Sequence, residues 1–437
     1  LRGDVSLIRL EQAELSLHTG KADERLCEVY GCMAGSPELP DYRNRLLHVL
    51  TGFRTQFGAA EEIELFSAPG RTELGGNHTD HQHGNVLAAS VNLDIVACAA
   101  PQDSMIVRIQ SEGYPLDEID LTDLTPHPEE TNKTAALIRG VAAAAHKLGH
   151  EIKGFDAYMT SNVLSGSGLS SSAAYETMIG VIINRFFCES KLTAVDIAKI
   201  GQYAENIYFG KPCGLMDQMA SSVGGIVAID FANQNEPTVR KITYDLHASE
   251  HSLCIVDTGG DHAELTGDYA AIPREMGEIA AAFGKTVLRE VDEAEFLKAI
   301  PSLRRQCGDR AVLRSMHFFA ENRRAVAEKE ALEKGNFEKF RQLVIASGRS
   351  SAMYLQNVYT GVNPEKQDMS VALALAESIL DGRGAVRVHG GGFAGTIQAF
   401  VPNDMLRYFK TTMESVLGKD ACHVLTIRPA GGVVLLS

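Results

Sequence analysis

Residues 164–174 read Leu-Ser-Gly-Ser-Gly-Leu-Ser-Ser-Ser-Ala-Ala, between a strand-like run at Phe155–Thr160 and an amphipathic helical pattern from about Ser171 to Phe187. Gly166 and Gly168 let the backbone turn tightly and approach a ligand closely. Ser170, Ser171 and Ser172 follow just as the helix begins. A helix start offers unpaired N–H groups and a partial positive charge, and the hydroxyls add donors and Mg²⁺ ligands, so the segment suits phosphate. Read blandly, it is a flexible Gly/Ser connection with a serine cap. Other nucleotide motifs fail. Gly166-x-Gly168 has no third glycine at the dinucleotide spacing. Gly284-Lys285-Thr286 resembles the end of a P-loop, but Ile279 stands where its first glycine belongs and the segment follows a helix.

A chain of 437 residues is too long for one ordinary core and implies two domains. With 45% hydrophobic and 22% charged residues the composition is that of a globular protein. No run approaches the roughly 18 apolar residues of a membrane span, and Leu1–Leu10, carrying Arg2, Asp4 and Arg9, lacks a signal-peptide block. A net charge of -15 without Lys/Arg-rich runs argues against a nucleic-acid partner. Eight cysteines are scattered with no C-x-x-C pair, which fits free thiols in a reducing cytoplasm.

Apolar spacing predicts helices in residues 1–60, broken at Gly35, Pro37 and Pro40. A strand is expected at Ile63–Phe66, loop chemistry over Ala68–Asn85, and one or two strands over Val86–Ala100. A second helix, Ala194–Tyr208, ends at Gly210 and Pro212. Ile226–Phe231 and Ser252–Asp257 read as strands flanking a polar link, Ala232–Glu250, where the domain boundary is placed. Helices are expected at Ile272–Phe283, Leu313–Lys334 and Met369–Leu380, then strand, glycine turn and strand across Ala385–Val401, another helix, and a last strand near Val424–Arg428. This mixed order is α+β.

Four segments, in order, resemble the galactokinase branch of the GHMP kinase family. Pro69-Gly70-Arg71-Thr72-Glu73-Leu74-Gly75-Gly76-Asn77-His78-Thr79-Asp80 looks like its signature, and Gly166–Ala174 like its phosphate loop. Pro212-Cys213-Gly214-Leu215-Met216-Asp217-Gln218 looks like the segment with its catalytic aspartate, and Gly390–Gly395 like its third motif. The likeness runs from about Phe66 to the C-terminus. It implies a helical extension at 1–60, an N-terminal nucleotide and sugar domain at 61–240, and a ferredoxin-like α+β domain at 241–437. The active site would lie between the last two. It further implies an ATP-dependent kinase acting on the anomeric hydroxyl of galactose or a C6 variant of it, with Mg²⁺ as cofactor.

By the same resemblance Asp217 is the catalytic carboxylate and Arg71 its cationic partner; as an isolated pair they would read as an ordinary salt bridge. Ser172 and Glu205 are the Mg²⁺ ligands, Glu205 standing twelve positions before Asp217. Gly166, Ser167, Gly168, Leu169, Ser170, Ser171 and Ser172 bind ATP. Asn77, His78, Asp80, Gly214 and Tyr269 bind the sugar.

The sequence also departs from the family. Asn77 stands where galactokinases carry a glutamate that contacts the 6-hydroxyl, and Glu73 replaces the usual asparagine. Gly75 replaces a branched apolar residue, His81 a tyrosine, His389 a threonine and Ala394 a glycine. An amide at Asn77 removes a charge and leaves room for another C6 group, as in a uronic acid, or for a hexosamine. Two other readings compete with an enzyme of this kind. The first is a metal site in the His78, Asp80, His81 and His83 loop. The second is a non-catalytic sugar sensor, disfavoured because Glu205 and Asp217 are retained. A non-sugar alcohol as acceptor is disfavoured by His78-Thr79-Asp80 and Met216-Asp217-Gln218.

Overall fold

The computed structural model describes residues 7–58, 62–164, 168–211, 213–260, 265–361 and 363–437. Its strands are β1 (Glu64–Gly75), β2 (Asn85–Pro101), β3 (Ile106–Ser111), β4 (Leu116–Asp120), β5 (Phe155–Ser161), β6 (Ile226–Asp230), β7 (Thr238–Ile242), β8 (His251–Asp257), β9 (Ala385–Val388), β10 (Thr396–Pro402), β11 (Cys422–Leu425) and β12 (Val433–Leu436). Among the described residues they form two sheets. The first has the order β12-β1-β2-β5-β3-β4, with β6 and β7 continuing from β2; the second has the order β11-β8-β10-β9. In the second, helices join β8 to β9 and β10 to β11, giving the β-α-β-β-α-β order of a ferredoxin-like domain. The fold is thus the expected two-part α+β arrangement.

The first sheet extends further than the sequence implies. Pro69 and Gly70 read as loop chemistry, yet β1 continues through them to Gly75. The β1–β2 register shifts at Pro69/Arg71 and again at Glu73/Gly75. Such bulges absorb a proline that cannot donate to the ladder, and they re-aim the side chains that follow. The polar link also holds a strand, β7, which pairs with β6, so the first sheet runs to Ile242. The chain end returns to it as well: β12 pairs with β1.

The N-terminal region forms helices Leu10–Thr19, Asp23–Tyr30 and Leu39–Phe57. Pro40 does not break the last of these, because it lies in the first turn, where a missing N–H is harmless. Leu26, Val29, Leu50 and Phe53 pack with Leu65, Val96, Cys98 and Leu435 in one core. Buried Asp94 ties the same elements together. It accepts from Tyr30 Oη at 2.6 Å, Arg45 Nη1 at 2.6 Å and Arg428 Nη1 at 2.9 Å, and from the Ser67 hydroxyl.

Behind the phosphate-loop segment, helix Ser171–Phe187 forms at the expected bounds. Helices Thr134–Lys147, Glu293–Gln306 and Phe337–Ser350 escape the sequence reading. All eight cysteines are free thiols. No helix among the described residues is long and apolar enough to cross a membrane.

Candidate active site

Past the first bulge of β1, Arg71 reaches two other segments. Its Nε and Nη2 donate to the two oxygens of Asp217 at 2.7 and 2.8 Å. Its Nη1 donates to the carbonyl of Gly168, and its backbone N–H to Leu169 O at 3.0 Å. Gly70 leaves little room for a side chain: a Cβ there would lie 3.0 Å from Leu169 O. The strand therefore seats directly on the loop.

Ser170 caps helix Ser171–Phe187 with φ of 55°, a left-handed value uncommon outside glycine, and its hydroxyl donates to Asp217. Asp217 lies in the first turn of helix Met216–Val223, where the helix dipole favours a negative charge. Burial pushes its carboxyl up, but Arg71, by charge and hydrogen bonds, and Ser170 outweigh that and hold it below the usual range. The side chain keeps 32% of its surface open, so an ionised carboxylate remains accessible.

Glu205 does not lie on a regular helix. Helix Ala194–Tyr203 widens into a π-turn, Ala204–Phe209, that carries it and ends at Gly210 with φ of 87°. Its Oε1 faces Lys211 Nζ at 3.3 Å, and its Oε2 accepts from Gln218 Nε2 at 2.8 Å. The same nitrogen donates to Glu176 Oε2 at 3.0 Å. Burial and the Glu205 carboxylate push Glu176 well above the usual range. Glu176 is four residues beyond Ser172 on one helix face, so this bridge joins the two expected metal ligands. Ser172 and Glu205 offer the hard oxygens Mg²⁺ prefers, and Glu176 Oε1 and Gln218 Oε1 are buried without a partner beside them. The donor set fits the ion.

The motif loop after β1 meets the same site. A Cβ on Gly214 would lie 2.3 Å from Asp80 Oδ2, so only glycine admits this carboxylate next to the Asp217 segment. His78 Nε2–H donates to Gly391 O at 2.9 Å. His81 Nε2–H donates to His78 Nδ1 at 3.1 Å, the arrangement that satisfies both rings. Burial, then His81, lowers His78 to about 3, so it is uncharged. Among the described residues no group of three or more His, Cys, Asp or Glu side chains is arranged to hold a metal ion. Tyr269 donates through its hydroxyl to Gly392 O at 2.6 Å and packs edge-on against Phe393. Gly166 and Ser167 lie outside the described residues.

Asn77 requires a correction. It has no exposed surface, and its amide is saturated inside the protein. The nitrogen donates to Glu73 Oε1 at 3.1 Å and Gly390 O at 2.7 Å; the oxygen accepts from Asn357 at 3.0 Å and Ser351 at 3.3 Å. It stands behind the site, joining β1 to the glycine turn, because an amide can both donate and accept where a glutamate cannot. Glu73, its partner, is paired with buried Arg387 of β9. Sequence reading missed Gln218, Glu176, Lys211 and Ser170's bond to Asp217. Gln218 adjoins Asp217 in a motif already singled out, and that was its one signal.

The family profile described as GHMP kinases N terminal domain matches residues 136–225, and that described as galactokinase galactose-binding signature matches residues 51–101. A galactokinase of Streptomyces coelicolor is 32% identical over 346 residues, covering 79% of this chain and 86% of that protein. The chain belongs to the galactokinase family of GHMP kinases. It is accordingly an ATP-dependent sugar kinase. A galactokinase of Actinobacillus pleuropneumoniae serotype 3 is 31% identical over 363 residues, covering 82% of this chain and 90% of that one. The crystal structure of Lactococcus lactis galactokinase complexed with galactose superposes with a TM-score of 0.75 at 25% identity, covering 89% of this chain and 99% of that one. In this structure Arg71 meets Asp217, Asp80 adjoins Gly214, and His78 reaches the glycine turn at Gly391.

Proposed function

We propose that this galactokinase-family chain transfers the γ-phosphoryl group of ATP to the anomeric hydroxyl of galactose or a close C6 variant. The observation that carries the reading is the junction of Arg71, Ser170 and Asp217, which puts an ionised carboxylate at the mouth of the phosphate-loop helix. Gly166 to Ser172 hold the nucleotide's phosphates, and Ser172 and Glu205 would hold Mg²⁺, which neutralises phosphate charge when bound. Asp217 orients the sugar hydroxyl and accepts its proton. Arg71 keeps that carboxylate ionised and fixes it to the loop. Asp80, His78, Gly214 and Tyr269 bound the sugar. Residues 61–240 supply the nucleotide side and 241–437 the opposite wall, less the strand that returns to β1. Eight free thiols favour a reducing compartment such as the cytoplasm.

The second reading is the same transfer to a different aldose, such as a uronic acid or hexosamine. Asn77 favours it, since its amide is fully bonded within the protein and gives the sugar no carboxylate. The test is a panel of hexoses, hexosamines and uronic acids with ATP, the product identified by phosphorus NMR. An anomeric phosphate on galactose supports the first reading. Turnover confined to another sugar supports the second, and no turnover with any of them rejects both.

A further inference from the structure

We propose that Gln218 is a positioning residue that sets where Glu205 stands relative to the phosphate-loop helix and to Asp217. This rests on Glu205 being a metal ligand.

Three carboxylate-bearing elements meet at this one side chain. Gln218 follows Asp217 directly in helix Met216–Val223, yet the two point apart. Asp217 faces Arg71, whereas Gln218 is buried and faces inward. Both N–H bonds of its Nε2 are spent on carboxylates from separate elements: Glu205 in the π-turn at 2.8 Å and Glu176 in helix Ser171–Phe187 at 3.0 Å. Hydrogen bonds to a carboxylate are among the stronger kinds, and low-dielectric surroundings strengthen them further.

The packing around it is close. A Cβ on Gly201 would lie 3.0 Å from Glu176 Oε2 and 3.2 Å from Gln218 Cγ, so the helix leading to the π-turn rests directly on this bridge. Glu205 is otherwise held by Lys211, a longer contact at 3.3 Å from a side chain 62% exposed, and by the thiol of Cys213, a weak donor. Release of Gln218 would leave Glu205 on these weaker contacts alone and two acidic side chains face to face. Because Gln218 and Asp217 share one turn of one short helix, the same residue fixes the spacing between the acceptor carboxylate and the metal ligand. Partners that orient a metal ligand in this way typically govern affinity by 10–100-fold.

The test uses purified full chain with a non-hydrolysable ATP analogue and Mn²⁺ as the probe, read by electron paramagnetic resonance so that no turnover is needed. Gln218→Glu keeps the shape and loses both donors; Gln218→Met keeps the length and adds no charge. The expected result is Mn²⁺ binding weakened about tenfold or more in both variants, KM for MgATP raised more than kcat falls, and affinity for metal-free nucleotide unchanged. Gln218→Asn, too short to span both carboxylates, should not rescue binding. Wild-type Mn²⁺ affinity in either folded variant overturns the proposal. Glu205→Gln is measured in parallel. If it retains wild-type Mn²⁺ affinity, the metal-ligand reading fails instead.

Discussion

Gly75 and Glu328 occupy adjoining space so closely that a Cβ on Gly75 would lie 1.6 Å from Glu328 Oε2. The carboxyl is fully buried with neither oxygen hydrogen-bonded, and its surroundings include Arg387 and Arg324. A branched side chain and this carboxylate cannot coexist in that space. Gly75→Val should therefore destabilise the chain by about 1–3 kcal/mol through overpacking. Glu328→Ala should recover most of the loss when combined with it, a non-additivity that a double-mutant cycle from denaturant unfolding would measure.

Glu328 also predicts a pH dependence. Burial raises its carboxyl to about 8, against the partial opposition of Arg387 and Arg324. The folded value lies above the unfolded one, so its contribution is complete below the ordinary glutamate range and is lost as pH rises toward 8. Stability of the wild type should fall from about pH 5 to about pH 8, by up to about 1.4 kcal/mol per pH unit more steeply than that of Glu328→Gln, and level off above that. Unfolding midpoints at matched pH would show it, and parallel curves would count against it.

Asp94 holds the N-terminal helices to the first sheet. Asp94→Asn leaves Arg428 buried without its counter-charge, which should cost about 3–5 kcal/mol. Hydrogen exchange should then show faster opening in 10–57 than in the second sheet.

The burial of Asn77 changes what a single exchange can achieve. Asn77→Glu would lose the donors to Gly390 and to Glu73 and set a second carboxyl against Glu73. Alone, it should lower both the melting midpoint and kcat/KM on galactose. Adding Glu73→Asn removes the repulsion and should restore much of both. If the single variant already improves galactose turnover, the account of Asn77 as a bonded wall is wrong.

How legible all this was in the sequence varied with the kind of interaction. Helix Ser171–Phe187 and the order of motifs were readable because glycine, serine and apolar spacing are local signals. The pairing of Arg71 with Asp217 was readable through the family likeness. Strand β1 was cut short because Pro69 and Gly70 are turn residues locally, while bulges set by pairing with β2 override them. Asn77 was misplaced because three of its four partners, Gly390, Ser351 and Asn357, lie far from it in the chain. Gln218 was passed over for the same reason: an amide's importance depends on which carboxylates fold onto it.

Turnover in Asp217→Asn tests the central claim most directly. The substitution keeps the size of the side chain but removes the ionised carboxylate that Arg71 and Ser170 hold at the phosphate loop. ATP-dependent sugar phosphorylation should fall on the order of 10²–10⁴-fold, while calorimetry still detects sugar binding to a folded protein. Undiminished phosphorylation by that variant would contradict the account.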